Sequence, residues 1–108
     1  MATVLRWGQG ITGPTAPIEL AGGSGLSLAG AEVALSVEAL DGSAVILDDA
    51  ACALVGTTAV RYDRQAADVA DPRRLRGYFV ASYSDGSTQR FPEEGYVLII
   101  VEPALGTP

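Results

Sequence analysis

Apolar and polar side chains alternate along two stretches of this chain, Ala31 to Glu38 and Tyr78 to Tyr83. In the first, Val33, Leu35 and Val37 interleave with Ala34, Ser36 and Glu38. A period of two puts successive side chains on opposite faces of an extended backbone, so each stretch predicts a strand with one face on a core and the other toward water. Shorter extended runs surround them: Thr3 to Trp7, Ile18 to Leu20, the stretches AVIL, CALV and AVRYD, and Tyr96 to Val101. AVIL and CALV read as separate strands broken by DDA.

The residues between these runs are turn formers. Asp41-Gly42-Ser43 and Asp85-Gly86-Ser87 each stand between apolar runs. Asp-Gly suits the positive φ angles of tight turns, so the two triplets predict two hairpins. GQGITGPTAP, residues 8 to 17, holds three glycines and two prolines; it excludes a helix and leaves an extended segment. The longest irregular stretch runs from Arg64 to Gly77. Within it DRQAADVA supports a helical turn that Asp71-Pro72 limits, and RRLR follows as a loop. About seven or eight short strands without an amphipathic helix predict an all-β sandwich or barrel.

Composition narrows the function classes. The 108 residues fit one domain, and with 6% aromatic residues its core must rely on Val, Leu, Ile and Ala. A net charge of −6 opposes attraction to phosphate backbones and anionic lipid, so neither nucleic acid nor a membrane is an expected partner. The longest strongly apolar run, Val97 to Val101, is far below the ~20 residues of a membrane helix. The absence of histidine removes the commonest general base and metal ligand. Cys52 is the single cysteine, so no intrachain disulfide forms; in the apolar setting AACALV it reads as a small buried hydrophobe rather than a reactive thiol. Asp48-Asp49 and the set Asp63, Asp68 and Asp71 lack the spacing of a calcium loop. No catalytic residue, metal ligand or cofactor site is expected, and the chain reads as non-enzymatic.

Several residues carry two readings. Arg73, Arg74 and Arg76 form a dense positive patch, either for an acidic surface on a partner or neutralised by Asp63, Asp68 and Asp71. Tyr78, Tyr83 and Tyr96 read as buried rings with bonded hydroxyls. Trp7 either covers one end of the core or anchors an arm on another subunit.

The runs WGQGITGPTAPIEL and LSLAGAEVALSVEALDGSAVILDDAACALVG resemble the amino-terminal half of a small tailed-phage β-sandwich. Its family contains the amino-terminal domain of the phage baseplate upper protein. The matching features are Gln9-Gly10 at the entry, the strand from Pro17 to Leu20, and Leu28-Ala29-Gly30-Ala31 leading into Val33 to Val37. The later half resembles the family's order of Tyr, Asp, Gly-Tyr strand, SDG turn and final strand, with RRLR where a short Pro-Gly approach is usual.

This resemblance implies an antiparallel immunoglobulin-like β-sandwich over residues 1–108, with an extended arm over 1–17 and a tail over 103–108. It implies a phage virion structural protein, tail- or baseplate-associated, made in the host cytoplasm and docked in multiple copies without a cofactor. Its partners would be other virion structural proteins and copies of itself. Trp7, Gln9, Pro14, Pro17, Arg73, Arg74 and Arg76 are the contact candidates. The alternatives are a head decoration or head–tail connector accessory, or a carbohydrate- or receptor-binding module.

Overall fold

In the computed structural model, Val33, Leu35 and Val37 are buried while Ala34, Ser36 and Glu38 face outward. The alternation in β4 (Glu32–Ala39) therefore places one face on the core, as its sequence predicts. The structure describes residues 4–20, 28–92 and 95–103. The AGGSG turn, Glu93-Glu94 and the tail beyond Pro103 lie outside them.

The remaining strands are β1 (Val4–Gly8), β2 (Gly13–Pro14), β3 (Ile18–Glu19), β5 (Val45–Val55), β6 (Ala59–Arg61), β7 (Asp63–Arg64), β8 (Arg73–Ser82), β9 (Thr88–Phe91) and β10 (Val97–Glu102). A single 3-10 turn, Ala66–Val69, is the helical element among the described residues. The main sheet runs β1-β10-β8-β4-β5-β6-β3, with β9 pairing β8, and curls so that β3 and β6 lie across the core. A small β2-β7 sheet closes one end. The protein is all-β and sandwich-like.

The sheet is mixed rather than purely antiparallel, because β1 runs parallel to β10, from Val4 beside Leu98 to Gly8 beside Glu102. This pairing also revises the expected arm over residues 1–17. From Val4 onward the segment belongs to the body: β1 joins β10, β2 joins β7, and β3 joins β6. Burial explains the change. Trp7 is 3% exposed and Thr15 is 7% exposed, so detaching the segment would open the core.

Both DGS triplets make the expected hairpins. Asp41 and Asp85 each accept a hydrogen bond from the backbone N–H two residues on, at 2.9 Å, with Gly42 and Gly86 at positive φ. Hydrogen bonds from Ser43 and Ser87 hold both carboxyls below the ordinary aspartate range.

Two other expectations change. AVIL and CALV belong to one eleven-residue strand, β5. DDA does not break it but bulges it: Leu35 and Val37 on β4 lie opposite Ala50 and Leu47, so β5 carries one extra residue there. Asp49 takes φ 53°, and its backbone N–H donates to Ser36 Oγ at 3.2 Å. RRLR is likewise not a loop; it begins β8.

Phe79, Leu28, Leu35, Leu75, Ile99, Val60, Val69 and Val101 are the largest fully buried side chains. Cys52 is half-buried against this core, and burial pushes its thiol up to about 11. At pH 8 roughly one thiol in a thousand would then be ionised. Ellman's reagent should label the native chain at least ~10-fold more slowly than the urea-unfolded chain; equal rates would place Cys52 in water.

Candidate functional site

Strand parity and register build a polar cleft on the outward face of the sheet. Along β8, Leu75, Gly77, Phe79 and Ala81 point inward, so Arg74, Arg76, Tyr78 and Val80 point outward. Arg76 lies opposite Glu38, Tyr78 opposite Ser36, and Val80 opposite Ala34 on β4. The first pair makes an ion pair of 2.6 Å between Nε and Oε1, with side chains 36% and 40% exposed. At that exposure it is worth ~1 kcal/mol or less, so its main effect is to orient both groups. The other guanidinium nitrogens of Arg76 have no hydrogen-bond partner among the described residues.

Arg90 on β9 shapes the adjoining wall. Its guanidinium carbon sits 4.5 Å from the centre of the Tyr78 ring. Its Nη1 donates to the carbonyl of Pro92 at 3.0 Å and its Nη2 to that of Gly95 at 2.7 Å. The side chain thus pins the bend between β9 and β10. Val97 pairs with Gly77, which carries Tyr96 alongside Tyr78. Val45, Leu47 and Asp48 of β5 form the opposite wall, and the cleft encloses about 450 Å³.

Of the contact candidates read from the sequence, Arg76 alone lines this cleft. Trp7 is in the core, stacked on Tyr62 with ring centres 5.8 Å apart. Gln9 is tied inward, its Nε2 donating to the Ala70 carbonyl and its backbone N–H to the Glu102 carbonyl. Pro14 and Pro17 are exposed, and Pro17 borders a second recess together with Trp7 and Arg64.

The arginine patch is divided by the strand that carries it. Arg73 turns toward the 3-10 turn and donates to the carbonyls of Ala67 and Asp68, while Arg74 and Arg76 face outward. Among the described residues no ion pair joins Arg73, Arg74 or Arg76 to Asp63, Asp68 or Asp71: Arg76 pairs with Glu38, and the Asp68 carboxylate accepts from Tyr62 Oη and the Gln65 N–H.

Tyr78, Tyr96, Arg90, Glu38 and Asp48 are what the sequence reading missed. The signal was present for Tyr78, which is out of phase with buried Phe79 and so belongs to the water-facing set. The buried ring with a bonded hydroxyl is Tyr62 instead. Burial first, and then the Asp68 hydrogen bond and charge, raise its phenol above the ordinary range. Tyr62 and Cys52 are both held away from their nucleophilic forms, whereas the cleft presents ready hydrogen-bonding groups. Its arrangement suits binding. No protein-family model, curated protein or solved structure matches the chain.

Proposed function

We propose that this chain is a structural component of a tailed-phage particle, associated with the tail or baseplate and docked in several copies. The end of the sheet face beyond the cleft is the docking surface. The observation that carries the reading is the composition of that end: Val4, 44% exposed, lies beside Leu98, and Arg6 beside Ile100, which faces Arg74. Apolar side chains interleaved with arginine are the make-up of protein interfaces. Arg6 is already paired with Glu102 at 3.4 Å, which leaves Arg74 as the docking cation of the strip; in a chain of net charge −6 it favours a partner surface that sets an acidic group beside an apolar centre. Arg74 pairs with no carboxylate among the described residues and is available for that role.

The resemblance to the phage sandwich supplies the particle, and the strip supplies the means of docking. Peptide mass spectrometry of purified particles should find the chain in stoichiometric amounts. Arg74→Glu should remain folded yet be depleted from particles by about tenfold or more, the equivalent of ~1.4 kcal/mol. Absence of the unmodified chain from the particles would reject this function.

A further inference from the structure

The cleft adjoins the docking strip on the same face, where Leu98 lies opposite Arg76, and its chemistry points to a small ligand. We propose that it binds a neutral saccharide through Glu38, Asp48, Arg76, Tyr78 and Tyr96. Its volume of about 450 Å³ falls within the ~300–1,000 Å³ of small-molecule sites and would hold a mono- or disaccharide.

Four features select this ligand class. First, donors and acceptors stand side by side. The free guanidinium nitrogens of Arg76 and the hydroxyls of Tyr78 and Tyr96 have no hydrogen-bond partner among the described residues, and neither does the Asp48 carboxylate. Sugar hydroxyls both donate and accept, so a vicinal pair can bridge a guanidinium and a carboxylate as no purely anionic ligand can.

Second, both signs of charge line the site: Arg76 and Arg90 share it with Glu38 and Asp48, and Asp49 adjoins on β5. A phosphate or carboxylate ligand would meet these carboxylates inside an acidic protein.

Third, there is an apolar wall. Tyr96, 39% exposed, and Val45, 70% exposed, can pack on the C–H face of a pyranose. Arg90 covers part of Tyr78, which leaves that residue to contribute its hydroxyl.

Fourth, the site is held in shape before binding. Arg90 fixes the Gly95 wall through two carbonyls, and Glu38 orients Arg76, which limits the ordering lost on association. An extended peptide is a poorer occupant. Between Val45 and Cys52 the outer edge of β5 pairs with no strand among the described residues, but the bulge and exposed Asp48 and Asp49 obstruct strand addition there.

The test uses the isolated full chain, 15N-labelled, so it does not depend on docking to a particle. Methyl glycosides and disaccharides of glucose, galactose, mannose and N-acetylglucosamine are titrated to ~20 mM, with glucuronic and sialic acids as anionic counterparts. At least one neutral sugar should produce saturable shifts at the amides of Ser36, Gly77, Gly95 and Tyr96. Tyr96→Ala, checked for folding in the same spectra, should weaken that binding about fivefold or more, and Arg76→Gln should do likewise. Unsaturated or absent responses to every neutral sugar would overturn the proposal. So would shifts mapping to another surface, or a stronger response to the acids.

Discussion

Trp7→Ala should destabilise the chain by about 3–5 kcal/mol, the usual loss when a buried aromatic ring is removed from a packed core. The ring is 3% exposed, stacks on Tyr62 and sits on β1 beside Val101 of β10. Its removal strips one face of Tyr62, whose hydroxyl is bonded to buried Asp68, and leaves a cavity where the two sheet ends meet. In a domain of this size 1 kcal/mol shifts the thermal midpoint by ~4–8 °C, so the loss should be at least ~12 °C. Far-UV circular dichroism is the suitable probe, because Trp7 is the only tryptophan and tryptophan fluorescence would vanish with it. Trp7→Phe, which keeps a ring on Tyr62, should lose less. A detachable arm behaves otherwise: Trp7→Ala would then change stability by less than ~0.5 kcal/mol, as surface substitutions do. That result would return β1 to the role of an arm.

The same strand shows where sequence reading succeeds and where it stops. Val33, Leu35 and Val37, and the two Asp-Gly-Ser turns, are legible because strand parity and turn geometry are set within a few residues. The parallel union of Val4–Gly8 with Val97–Glu102 is not, because it joins segments over 90 residues apart that carry no local mark of each other. RRLR hid a strand for another reason. Leu75 is its one apolar residue, and arginine stems can lie along a sheet while their charged ends reach carbonyls, carboxylates or water. The cleft was half legible. The parity that buries Phe79 exposes Tyr78, but the clamp that Arg90 places on Pro92 and Gly95 depends on the path of a bend.

Gly77→Val should destabilise the chain by roughly 2–4 kcal/mol, and the reason lies in how β8 changes neighbours. One edge of β8 pairs with β4 along Leu75 to Ser82. The other pairs with β10 as far as Gly77 and with β9 from Phe79. Gly77 stands at the changeover, and a side chain there would be directed inward. Its Cβ would lie 2.9 Å from the Ser36 carbonyl oxygen, 3.1 Å from Val37 Cγ2 and 3.3 Å from Ile99 Cδ1. The first contact is with backbone in the partner strand and cannot be relieved by a rotamer change. Even Gly77→Ala should therefore lose stability, although stiffening the unfolded chain would by itself contribute ~0.4–1 kcal/mol in its favour. Gly86→Ala separates crowding from backbone conformation, because Gly86 has φ 89° and a Cβ added to it would meet nothing within 4 Å. It should cost only ~1–2 kcal/mol, from the left-handed backbone alone. Urea midpoints give the order: Gly77→Val lowest, Gly86→Ala between it and the parent chain. The clash also pushes on Ser36 and the β4 segment carrying Glu38, so Gly77→Val should disturb the Glu38–Arg76 pair and the cleft along with stability. A Gly77→Val chain as stable as the parent would mean that the β4–β8 seam is wider than 2.9 Å contacts allow, and that the cleft floor above it is not fixed.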